Sequence, residues 1–171
     1  MVNILAEGSL NFEFPDHIDA TKYDDWSFYR NQMNSAFGGS KAIDLIGIEK
    51  KSTMWLIEIK DYRRNQRTKP IDIADEIAAK VRDTLVGLIA AQLNANSTDE
   101  QSFAKRALKT KKIRIVLHLE QPLKHSKVFP VAINPANVQQ KMKQQLKTID
   151  AHPVVVDHQS LRPDMGWRVF E

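Results

Sequence analysis

The chain has 171 residues, enough for one domain with its own core, and its 42% hydrophobic and 27% charged residues suit an ordinary folded domain. It holds no cysteine, which excludes disulfides, thiolate metal sites and cysteine nucleophiles. A formal charge of +4 and a pI near 9.3 permit a nucleic-acid partner without requiring one, and no apolar run approaches the roughly 18 residues of a membrane span. The N-terminus lacks the basic and apolar regions of a signal peptide, so a cytoplasmic location is expected.

Residues 1–10 carry little pattern beyond a turn signal at Gly8-Ser9. Residues 11–14 alternate polar and aromatic, a short strand that Pro15-Asp16-His17 breaks. Tyr23, Trp26, Phe28, Met33 and Phe37 recur at helical spacing, which predicts a helix over 22–37 with Thr21 as its cap and Gly38-Gly39 as its end. Two apolar runs, 41–48 and 53–60, flank the polar turn 49–52 and predict a β-hairpin. A basic loop then holds Arg63, Arg64, Arg67 and Lys69. Asp72 caps a long helix to about Asn94, with an apolar stripe from Ala74 to Ile89. A shorter helix is expected over 99–108, a strand over 111–119 and a short strand over 130–133. A helix from Pro135 to about Thr148 follows, then two short strands at 153–156 and 167–170.

The hairpin carries the chemistry. With the turn centred on Lys51, Ile48 faces Met54, Ile46 faces Leu56, Asp44 faces Glu58 and Ala42 faces Lys60, all on one face. Asp44 and Glu58 then stand side by side with Lys60 one step along. Charges in otherwise apolar strands need a reason, because an unpaired buried charge is costly. The bland reading is a salt-bridge cluster on a solvated sheet face.

Asp44, then thirteen residues, then Glu58-Ile59-Lys60 at the end of an apolar strand, followed by a basic loop and a long helix, resembles the PD-(D/E)xK nuclease superfamily over roughly residues 20–120. The resemblance implies a restriction-endonuclease-like α/β fold, a three-layer core with a central mixed sheet flanked by helices. That core lies in a single domain over 1–171 with a C-terminal extension at 121–171. It implies a metal-dependent nuclease, a DNA endonuclease of restriction, defence, repair or mobile-element type. Asp44, Glu58 and the Ile59 carbonyl would hold Mg²⁺, with Mn²⁺ as a substitute, and Lys60 would orient the attacking hydroxide. Arg63, Arg64, Arg67, Lys69 and Lys80 would contact nucleic-acid phosphates near the site, an ordinary solvated loop being the equal alternative for the first four. For Lys80 an i,i+4 pair with Glu76 is the simpler reading.

The residue before Asp44 is Ile43 rather than Pro, and the first predicted helix holds no Glu, where Asp24 or Asp25 could stand in. This gap motivates an alternative, a catalytically inactive nuclease-fold protein serving as a nucleic-acid-binding or assembly subunit. A protein–protein interaction domain is a third reading, and a homodimer is compatible with each. Lys105, Arg106, Lys109, Lys111, Lys112 and Arg114 form a second basic cluster, suited to a nucleic-acid backbone or to a solvated helix end. The five histidines show no metal-ligand spacing. His118, within an apolar strand, is expected to be a packed or hydrogen-bonded core residue.

Overall fold

A computed structural model describes residues 2–50, 52–124, 126–127 and 132–171. Two sheets and a helical layer make up the architecture. The larger sheet is α/β in character, five strands in the order β3-β4-β5-β6-β7: β3 (Ile18–Lys22), β4 (Leu45–Glu49), β5 (Thr53–Asp61), β6 (Lys112–Glu120) and β7 (Val154–Val156). The first three strands pair antiparallel, whereas β6 and β7 join in parallel, so the sheet is mixed. The smaller sheet has three antiparallel strands: β1 (Asn3–Glu7), β2 (Leu10–Phe14) and β8 (Arg168–Phe170), with β2 in the middle.

The expected hairpin is β4–β5, closed by a turn in which Ser52 N donates to Glu49 O at 2.8 Å. Its register pairs Ile48 with Met54 and Ile46 with Leu56, as the alternation predicts. Period-two alternation then divides β5 between two cores. Met54 and Leu56 face the helices, together with Ile46, Ile48, Ile115 and Leu117. Trp55, Ile57 and Ile59 face the smaller sheet, with Leu45 and Val116 against Phe12, Phe14 and Trp167.

Among the described residues four α-helices, α1 (Ser27–Asn31), α2 (Ile73–Asn94), α3 (Thr98–Ala107) and α4 (Pro135–Leu146), each turn an apolar face into the first core, while Val86, Leu93 and Ile89, the last residue of the expected α2 stripe, stay exposed. The central sheet is therefore covered by helices on one face and by the small sheet on the other. The expectation of a sheet flanked by helices holds for one face only. Residues 3–14 and 168–170, which read as short or featureless segments, supply the other layer. Residues beyond 121 supply α4, β7 and β8.

Asp72 caps α2 as expected, its side chain accepting from Ala74 N at 2.9 Å, and Ser97 caps α3. The helix expected over 22–37 does not form. Residues 23–25 and 33–38 make 3₁₀ turns around the five-residue α1, while Trp26 and Ala36 are extended and Phe37 sits at φ +56°. Thr21 lies in β3, and its hydroxyl accepts from Trp26 Nε1 at 2.9 Å rather than capping a helix. The helical spacing of the aromatics arises because successive tight turns fold them into one cluster, Tyr23 against Trp26 and Tyr29, and Trp26 against Phe103. The free backbone N–H groups of Ser27 and Phe28, at the start of α1, are capped from α3 by the Glu100 carboxylate at 2.7 and 3.1 Å. Of the strand expected over 130–133, residues 130 and 131 lie outside the described residues and 132–133 are not strand.

Candidate functional site

The β4–β5 register brings Asp44, just before β4, beside Glu58, and strand alternation puts Lys60 on the same face. That face lies under α2, whose residues 76 and 80 are one turn apart on the same side. The result is a cluster of seven charged side chains. Glu58 Oε1 accepts from Lys60 Nζ at 2.7 Å and from Lys80 Nζ at 2.6 Å, and Lys80 also reaches Asp44 Oδ1 at 3.4 Å. The other Asp44 oxygen accepts from Ile59 N at 2.7 Å, tying the start of β4 to β5. Glu76 takes Lys60 at 3.1 Å, Lys69 at 2.6 Å and Arg67 at 2.8 Å.

Burial makes this cluster consequential. Glu58 is 0% exposed, Glu76 1% and Asp44 8%. Burial pushes the Glu58 carboxyl up to about 7; the adjacent Asp44 carboxylate adds to the shift, and Lys80 and Lys60 oppose it. Burial also raises Asp44, against the pull of Lys80 and the Ile59 N–H. Burial disfavours the charge on Lys60, but Glu58 and Glu76 outweigh it and hold the ammonium well above its ordinary range. The same competition, with Glu58 and Asp44 as the partners, raises Lys80. Burial would raise Glu76, yet its Lys69, Arg67 and Lys60 partners hold it down at about 2. One buried carboxyl thus titrates near neutrality beside another that stays ionised.

Asp44, Lys69, Glu76 and Lys80 of the cluster line one wall of an open cleft of about 490 Å³, to which Asp24, Tyr29 and Lys41 also contribute. Asp24 faces Asp44 across it: burial and then the Asp44 charge push its carboxyl up to about 6. Asp25 pairs instead with Lys22 and Arg30. The bland reading of Lys80 is corrected, since it bonds to the hairpin carboxylates while Glu76 serves the basic loop. Glu76 is the site residue the sequence reading missed. Its only signal was an acidic residue on the apolar side of a long amphipathic helix.

The residues expected to contact phosphates are largely engaged elsewhere. Arg67 and Lys69 bond to Glu76, and Arg67 also donates to the Tyr62 hydroxyl and the Ile71 carbonyl. Arg63 pairs with Asp61 and Glu171 and donates to the Ser9 hydroxyl. Arg64 is exposed. The second basic cluster divides: Arg106 pairs with Asp19 and stacks on Phe103, while Arg114 lies over Trp55. His118 is fully buried with Nε2 2.9 Å from Glu120 Oε1, the packed role expected of it.

Two oxygen atoms of the cluster suit a hard divalent cation, Asp44 Oδ1 and Glu58 Oε2. Glu58 Oε2 is buried and has no hydrogen-bond partner among the described residues, an orphan that fits such a group. Lys80 already bonds to the Asp44 oxygen. Among the described residues, no three His, Cys, Asp or Glu side chains gather as a metal-binding group. No helix of the described residues is long and apolar enough to cross a membrane.

The chain is similar to the cysteine–tRNA ligase of Neisseria meningitidis serogroup A / serotype 4A (strain DSM 15465 / Z2491), with 35% identity over 164 residues. The match covers 78% of this chain and 23% of the ligase, so the chain spans about a quarter of the length of the curated relative it matches. No protein-family profile and no solved structure matches. This relationship overturns the PD-(D/E)xK resemblance, and with it the readings of a metal-dependent DNA endonuclease and of an inactive nuclease-fold subunit. Three residues at fixed spacing on a hairpin carry far less information than identity spread over most of the chain. The convergence of Asp44, Glu58 and Lys60 stands as geometry. In this fold, protein cations from β5, from the loop before α2 and from α2 itself compensate the carboxylates.

Proposed function

We propose that the chain is an aminoacyl-tRNA-synthetase-related accessory module that binds tRNA. The observation that carries this reading is the 35% identity to a segment of cysteine–tRNA ligase. Because that segment is 23% of the ligase, ligation itself is not assigned to this chain. Its formal charge of +4 supports a polyanionic partner. In this reading residues 1–171 act as one cytoplasmic unit. The antiparallel β4–β5 hairpin beside the parallel β6 is compatible with a restriction-endonuclease-like sheet, taken as geometry without that class's activity.

Fluorescence anisotropy of labelled cysteine-accepting tRNA across a salt series tests the proposal. Binding should weaken linearly in log–log form, at roughly 0.7–0.9 of a unit per phosphate contact, and duplex DNA of equal length should compete poorly. Absence of tRNA binding at low salt would sink the reading. Equal competition by DNA would replace tRNA with a general nucleic-acid partner.

The orphaned Glu58 Oε2 favours a second property, binding of Mg²⁺ or Mn²⁺ by Glu58 and Asp44. The ion would supply positive charge to the cleft. Lys80, now bonded to both carboxylates, would have to yield its place. Calorimetric titration should show Mn²⁺ binding that Glu58→Gln abolishes. An identical heat trace for the two proteins would remove the ion from the proposal.

A further inference from the structure

A second cleft, of about 290 Å³, opens between α4 and the β7 edge of the central sheet. Arg114, Lys143, His152 and Arg162 line it, together with Gln139, and no carboxylate does. Arg114 is set by the fold. It projects from the first half of β6, its guanidinium lies 5.9 Å from the Trp55 ring centre, and its Nη2 donates to His152 O at 3.2 Å. Its Nε is buried and makes no hydrogen bond among the described residues. Asp150 Oδ2 approaches that Nε only to 3.5 Å, because the Asp150 carboxylate already accepts from the backbone N–H groups of Ile115 and His152. Lys143 makes no ion pair among the described residues. The Arg162 side chain pairs, among the described residues, with Asp164 alone at 3.4 Å, an exposed pair of the kind that contributes little.

The cleft therefore presents a pinned guanidinium fork and two weakly compensated cations to whatever enters. A planar guanidinium held on an aromatic ring is prearranged for two oxygen atoms of one phosphate. The volume falls just below the roughly 300–1,000 Å³ of small-molecule pockets, and Pro153 and Val154 alone among the lining residues are apolar, fewer than such pockets carry. Positive charge also continues past the cleft. Lys112 is exposed on the same face of β6, two residues before Arg114, and Lys147 is exposed four residues after Lys143. A track of cations extending beyond a single-phosphate cleft suits a chain of phosphates.

We propose that the Arg114–Lys143–His152–Arg162 cleft is the seat of an RNA backbone phosphate, a reading that rests on tRNA as the partner. Arg114 fixes the phosphate, and Lys143 and Arg162 close on it from the helix and from the loop after β7. This cleft is separate from the Glu58 cluster. Arg114 pairs in register with Trp55, three residues before Glu58 on β5, a separation of about 10 Å along the strand.

The test compares tRNA binding by the full chain with that of a Lys143→Ala/Arg162→Ala double variant and of an Arg82→Ala/Arg168→Ala control, which removes the same charge from exposed positions elsewhere. The cleft variant should bind about tenfold more weakly, with its salt slope reduced by roughly 1.4–1.8, the value for two lost contacts. The control should keep both affinity and slope close to wild type. Arg114→Lys, which keeps the charge but loses the fork, should weaken binding with the slope nearly unchanged. Equal losses in the cleft and control variants would overturn the cleft while leaving tRNA binding by the chain intact. Failure of the wild type to bind tRNA would overturn the underlying reading instead. In a parallel titration, tight binding of inorganic phosphate that the cleft variant loses without losing tRNA would reassign the cleft to a small phosphorylated molecule and overturn the RNA assignment.

Discussion

Enclosed by Asp44, Lys60 and Lys80, the Glu58 carboxyl titrates at about 7 in the folded chain against 4.5 for the free side chain. Its folded-state pKa is raised, so between those values the folded state binds more protons than the unfolded one. Stability from this group is full below pH 4.5 and is lost as the pH rises through 7, with a slope of at most about 1.4 kcal/mol per pH unit. Asp24, raised from 3.8 to about 6, contributes with the same sign. Glu76 has the opposite sign: its stabilisation is present above 4.5 and is lost as the pH falls through about 2. Urea unfolding at a series of pH values from 4.5 to 7.5 should show wild-type stability declining across the window and Glu58→Gln declining less steeply. Parallel curves for the two proteins would mean that Glu58 does not titrate there. The placement of Asp44, Glu58 and Lys60 was readable from strand alternation, because the register of a hairpin follows from its turn and its apolar residues. Their partners were not readable. Whether Lys80 turns to Glu76 or to Glu58 depends on how α2 lies across the sheet, and no local spacing encodes that.

Where segments are long and strongly periodic, the elements follow the sequence closely. The α2 helix runs from Ile73 to Asn94 behind its Asp72 cap, and β6 occupies the expected apolar run. The stretch over 22–37 fails because its aromatic spacing satisfies a helix and an irregular aromatic cluster equally, and packing against α2 and α3 decides. Gly87 of α2 marks that packing. A Cβ there would collide with the Tyr23 hydroxyl, which is buried and without a partner among the described residues. Gly87→Ala should therefore destabilise by about 1–3 kcal/mol through overpacking, less up to about 1 kcal/mol gained in helix propensity. Tyr23→Phe removes an unsatisfied hydroxyl and should be neutral or mildly stabilising. Placed together, the two changes should be far less costly than Gly87→Ala alone, a coupling of about 0.5–3 kcal/mol in a double-mutant cycle followed by thermal unfolding. Additive effects would show that α2 shifts away from the aromatic turns and that the close approach of Gly87 is not required.

At the scale of the whole molecule, the central sheet is a shared wall. Leu56 and Glu58 serve the helical face, while Trp55, Ile57 and Ile59 of the same strand serve the small sheet. The alternation at 11–14 made β2 visible in the sequence. That β1, β2 and β8 would form the outer layer was not visible, since β8 joins β2 through pairs such as Glu13 with Arg168, 155 residues apart. The joint between the sheets is aromatic: Trp167 meets Trp55 edge-on with ring centres 5.1 Å apart and tilts against Phe14 at 5.7 Å. Trp167 is 4% exposed, so Trp167→Ala should cost about 3–5 kcal/mol, a large share of the 5–15 kcal/mol of a typical domain. Because β5 belongs to both cores, the loss should lower one cooperative transition rather than detach the small sheet. Circular dichroism at helix wavelengths and fluorescence of the remaining tryptophans, Trp26 on the helical side and Trp55 between the sheets, should therefore move to the same lower urea midpoint. If the helical signal keeps its wild-type midpoint while the fluorescence shifts, the small sheet is a separable layer. The Glu58 cluster would then be held by the hairpin and α2 alone.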